Sequence, residues 1–246
     1  MNTDLTKTAK KIINLVETGR PNLASQVIKP ILDNKIPFAK LDKLGSLIGQ
    51  ASLDNKQKYF PFFDAIIKYN AMGGFVVVSR ALIPHLDQDM KRVMTKSREY
   101  IIQGDTWYVC DIIGERSLGQ ALVDHFDQTL PYLQKLLSDD NNWVKRSVGV
   151  AIHFFSKRVI DQSEKTTRLL GLIEPHLEDK QIDVAKGIGW GLKTIGKYHP
   201  KLLVKFLVRR IKLGQKISAT VMRKAITYLA PQEKKIIKDL LSSLDK

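Results

Sequence analysis

One period dominates the chain. Apolar residues recur at the i, i+3, i+4, i+7 spacing that gives an α-helix a single buried stripe, first at Leu5, Ala9, Ile12, Ile13 and Val16 and then repeatedly towards the C-terminus. Strand-like alternation is nearly absent. Val76-Val77-Val78 is the one β-branched run, and it sits in a helical pattern that follows Gly73-Gly74.

Turn residues interrupt this period about every 15 to 20 residues. They fall at Gly19-Arg20-Pro21, Lys35-Ile36-Pro37, Asp54-Asn55, Gly73-Gly74, Gly104-Asp105, Ser138-Asp139-Asp140-Asn141, His199-Pro200 and Pro231. This punctuation predicts roughly a dozen short helices, and pairs of them at about 40 residues match the period of HEAT-type repeats. The fold expected is all-α: one domain over residues 1–246 in which HEAT-like helical pairs stack into a curved α-solenoid. A compact irregular helical bundle is the alternative.

Composition narrows the partners. Forty Lys and Arg against 25 Asp and Glu give a net charge of +15 and a pI near 9.8, the footprint of a protein that binds a polyanion. The excess is concentrated, with fifteen Lys or Arg and four Asp or Glu from Gln181 to Lys246. Cys110 is the single cysteine, and no Cys/His cluster has zinc-ligand spacing, so neither a metal nor a cofactor is expected. No apolar run approaches the roughly 18 residues of a membrane span. A cytoplasmic monomer with no membrane contact is expected.

Three helices carry residues that their own periodicity leaves unexplained. From Asp183 to Pro200, Val184, Ile188, Leu192 and Ile195 form the apolar arc, while Lys186, Trp190, Lys193 and Lys197 cluster on the opposite face. A lone tryptophan more often covers a neighbouring repeat, but one among lysines in a chain this basic points to nucleic-acid contact. After the capping run Asp139-Asp140-Asn141-Asn142, Val144, Val148, Ile152 and Phe155 share one face; Arg146, His153 and Lys157 share the other. Arg146 is expected to point away from the core and to grip phosphate as a bidentate fork, although surface solvation accounts for the same pattern. His153 has no carboxylate at helical spacing and receives no catalytic role. In the third segment, Trp107 and Asp111 stand at i, i+4 and project side by side, with Gly114 one turn beyond leaving room for another backbone. A carboxylate beside an indole can stabilise a developing cation. It can also simply pair with a neighbouring helix.

Taken in order, Trp107-x-x-x-Asp111, Asn142-Trp143-Val144-Lys145-Arg146 and Lys186-Gly187-Ile188-Gly189-Trp190-Gly191-Leu192-Lys193 resemble the AlkD-like DNA alkylation repair family of HEAT-like-repeat DNA glycosylases. The likeness is best from about Trp107 to Phe206. It implies that Asp111 corresponds to the catalytic aspartate, Trp107 and Trp190 to the tryptophans that contact the damaged nucleotide, and Arg146 to the arginine on backbone phosphate. Lys157, Lys186, Lys193 and Lys197 would add contacts to double-stranded DNA. The resemblance further implies hydrolysis of the N-glycosidic bond of 3-methyladenine and 7-methylguanine without base flipping. Two rival readings stand beside it: a non-catalytic reader of damaged or branched DNA, and a helical scaffold for an acidic protein.

Overall fold

A computed structural model describes residues 4–33 and 35–244. Every regular element among them is helical, and the chain divides into two compact units, Met1–Ser117 and Leu118–Lys246.

The first unit holds α1 (Leu5–Glu17), α2 (Pro21–Asp33), α3 (Phe38–Ala51), α4 (Lys56–Lys68), α5 (Met72–Ala81), α6 (Leu86–Gly104) and α7 (Trp107–Ile113). The apolar stripe of α1 is buried as its spacing predicts, through Leu5, Ala9, Ile12 and Val16. Asp4 caps that helix, accepting from the amides of Thr6 and Lys7 at 3.1 and 3.2 Å. Each helix packs on the one two places along: α1 on α3, α3 on α5 and α5 on α7 form one layer, and α2 on α4 and α4 on α6 form a second. Contacts between sequence neighbours, such as α1 with α2 and α4 with α5, join the layers. The aromatic centre of this unit is fully buried at Tyr59, Phe62, Phe63 and Phe75.

The second unit holds α8 (Gly119–Asp124), α9 (Phe126–Leu137), α10 (Asn142–Ser156), α11 (Ser163–Ile173), α12 (Ile182–Tyr198), α13 (Pro200–Lys212), α14 (Ala219–Ala225) and α15 (Pro231–Leu244). The same alternation returns, with α8, α10, α12 and α14 in one layer and α9, α11, α13 and α15 in the other. Paired helices that meet in this way bury one stripe against the layer beside them and a second against the helix two places along.

The turn residues mark helix boundaries well, with one exception. Gly73-Gly74 lies inside α5 and is buried. These glycines serve packing: a Cβ on Gly73 would stand 3.0 Å from the Leu32 carbonyl oxygen, and one on Gly74 would stand 3.2 Å from Ile66 Cγ2. Among the described residues no helix is long and apolar enough to cross a membrane.

Candidate nucleic-acid interface

In the first unit the candidate residues lie on α7. Asp105, with φ at +41°, makes the turn out of α6, and its amide donates to the Ile101 carbonyl at 3.1 Å. The turn closes tightly because the preceding residue is glycine. A Cβ on Gly104 would fall 2.7 Å from Val109 Cγ1 and 3.0 Å from the Phe75 ring. A close approach beside this helix is therefore made at Gly104, on its N-terminal side.

Val109, Cys110, Ile112 and Ile113 anchor α7 in the core. That leaves Trp107 and Asp111 on the other side, one turn apart, as their spacing predicts. Trp107 is 58% exposed and meets Tyr108 edge-on at 5.9 Å; Asp111 is half-buried. A π-helical turn, Gly114–Leu118, follows directly. It aims Arg116 back at α3, where Nε and Nη2 donate to the two Asp42 carboxylate oxygens at 2.7 and 3.2 Å. Ser117 donates to the Ile113 carbonyl at 3.3 Å, and its hydroxyl lies 2.9 Å from that of Ser97 on α6. Asp111 thus stands on a helix whose far end is tied to two others.

In the second unit the candidates lie on α10 and α12. Asn141 caps α10, its Oδ1 accepting from the amides of Trp143 and Val144 at 2.9 and 3.1 Å. The two helices touch backbone to backbone. A Cβ on Gly149 would lie 2.5 Å from the Ile188 amide nitrogen, one on Gly187 would lie 2.6 Å from the Arg146 carbonyl oxygen, and one on Gly191 would lie 3.0 Å from that of Gly149. Glycine loses helix propensity at these positions, yet α12 runs unbroken because they let α10 approach.

This contact corrects the reading of Arg146. Helical projection put it on an outer face with His153 and Lys157, but Arg146 is only 8% exposed. The reason lies outside its own helix: α12 covers that flank of α10 at Gly187, whose missing side chain admits the Arg146 stem. Lys157 also turns to its own helix, with Nζ 5.6 Å from the Phe154 ring centroid and 3.2 Å from His153 Nε2.

The projection of α12 holds better. Val184, Ile188, Leu192 and Ile195 are fully buried, while Lys186 and Lys197 are exposed and Trp190 and Lys193 are half-buried. Lys186 leans to Asp183 at 3.4 Å. Trp190 is in addition stacked face to face on His153, with ring centroids 4.2 Å apart and planes at 25°.

Spacing along one helix did not reveal the basic groups that α14 and the turn after it bring to this face. Lys224 lays its stem along Gly189, where a Cβ would stand 2.8 Å from Lys224 Cδ. Burial and then the charges of Lys193, Arg146, Arg223 and Lys186 push the Lys224 ammonium below its ordinary pKa. Tyr228, 52% exposed, takes Lys193 over its ring at 5.0 Å and Lys197 at 5.7 Å. Such a gathering of cations with an exposed aromatic suits phosphate together with a flat, apolar group. Its one sequence-level signal is the basic excess after Gln181.

Among the described residues no cluster of three or more His, Cys, Asp or Glu could hold a metal. No curated protein and no solved structure matches the chain. A family model for DNA alkylation repair enzymes matches residues 45–229, about three quarters of the chain, taking in α7, α10, α12 and α14. The match starts well before the Trp107 motif that carried the resemblance. The chain belongs to the DNA alkylation repair enzyme family.

Proposed function

We propose that the protein is a DNA glycosylase that hydrolyses the N-glycosidic bond of cationic alkylated purines, 3-methyladenine and 7-methylguanine, in duplex DNA without flipping the base. The observation that carries the reading is the Trp107–Asp111 pair: a carboxylate and an exposed indole one turn apart on a helix that Arg116 and Ser117 hold in place.

Alkylation places a positive charge on the purine, which makes it a good leaving group without a general acid. The C1′–N bond breaks with its electron pair passing to the base, which leaves neutral; the charge moves to the sugar, and water adds at C1′ and gives up one proton to solvent. Asp111 then stabilises the cationic sugar by Coulomb attraction and orients the water. Trp107 and Trp190 favour the same charge through their π systems. Lys186, Lys193 and Lys197, with Lys224 and Tyr228, hold the phosphate backbone, and Arg146, largely covered by α12, adds its charge beneath them, while Lys157 supports this face through His153. The protein, in this reading, pairs its helices in the HEAT-like manner within each unit and acts as a cytoplasmic monomer on double-stranded DNA.

The test is release of free base from duplex DNA carrying N7-methylguanine, with wild type and Asp111→Asn side by side at matched salt. Wild type should release base. Asp111→Asn should release none and should bind duplex as well or better, because a negative charge near phosphate is removed. Full release by Asp111→Asn would refute the mechanism. If neither protein releases base while both bind duplex, the non-catalytic reader of damaged or branched DNA takes its place.

A further inference from the structure

His153 is tied by its ring face and by both ring nitrogens. Its imidazole covers one face of Trp190, with centroids 4.2 Å apart. Nδ1 lies 2.6 Å from the Thr194 hydroxyl on α12, and the Lys157 ammonium lies 3.2 Å from Nε2. The Thr194 hydroxyl also lies 3.1 Å from the Trp190 carbonyl oxygen, to which it can donate. Contacts on the ring face and at both nitrogens hold the imidazole in one plane.

We propose that His153 is a positioning residue for Trp190: it fixes the plane of the indole and occupies one of its faces, so that a nucleotide meets only the opposite face or the rim. This rests on the reading of Trp190 as a contact to the damaged nucleotide. The stacked imidazole limits the rotamers open to the half-buried indole.

The experiment uses the full chain labelled with 5-fluorotryptophan, with the Trp190 resonance assigned through Trp190→Phe. His153→Ala should broaden or split that resonance. It should also slow single-turnover release of N7-methylguanine about ten-fold or more while the Kd for undamaged duplex changes by less than about two-fold. His153→Phe, which keeps a ring for stacking, should restore a single sharp resonance and most of the rate. If His153→Ala does not fold, His153→Gln, which can reach Thr194 but cannot stack, takes its place with the same expected outcome. A Trp190 resonance in His153→Ala as sharp as in wild type overturns the proposal whatever the rate. If wild type releases no base, the glycosylase reading fails by itself and positioning is read from the duplex titration. A Trp190 shift on adding duplex that His153→Ala loses supports it; the same shift in both proteins overturns it.

Discussion

Acidification should unfold this protein partly through one buried histidine. His85, on the short 3₁₀ turn before α6, has no exposed surface, and its Nε2 lies 2.6 Å from the Ser52 hydroxyl. Ser52 donates its proton to the Gly49 carbonyl at 2.6 Å, so it accepts from His85, and the ring is the neutral Nε2–H tautomer. Nδ1 is buried without a hydrogen-bond partner. Protonation would place both a charge and an unsatisfied N–H there, near Lys56 and Arg92, with Asp89 offsetting in part. Burial above all, then Lys56, pushes the pKa from 6.5 down to about 4.

The folded-state pKa lies below the unfolded one, so stability is complete above pH 6.5 and is lost as pH falls towards 4. Linkage gives a loss of about 1 kcal/mol at pH 6, about 2 at pH 5 and about 3 at pH 4, flattening below. Urea unfolding followed by helical circular dichroism from pH 8 to pH 4 measures it in wild type and His85→Gln. The variant should be less stable at pH 8, having lost the histidine bond, and its curve should fall less steeply by about 2 kcal/mol between pH 8 and 5. Parallel curves for the two proteins would refute the reasoning, because carboxylates common to both would then account for the whole slope.

Lys193→Ala and Lys224→Ala should each weaken duplex binding and lower the salt slope by about one unit, read by titration at several salt concentrations. An unchanged slope would place that lysine off the phosphate backbone. Gly149→Ala should cost about 1–3 kcal/mol in unfolding free energy despite its better helix propensity, because the new methyl meets the backbone of α12 and not a side chain that can turn aside. A neutral or stabilising Gly149→Ala would show that the helices separate freely.

The sequence by itself determined the helical class and most of its punctuation. The apolar period of α1 and α12 depends only on the 3.6-residue turn, and Asn141, Asp4 and Pro231 act at helix ends through local backbone groups. The Trp107–Asp111 pair was legible for the same reason, since i, i+4 neighbours share a face whatever else the chain does. The tertiary structure decided what depends on a second helix. Arg146 faces outward on a lone helix and is covered in the protein, because Gly187, 41 residues away, lets α12 close over it. His153 stacks on Trp190 and bonds Thr194 across that same contact, and Lys224 reaches the basic face only because Gly189 makes room. Periodicity assigns a residue to a face; which faces another helix covers is set by where two backbones can approach.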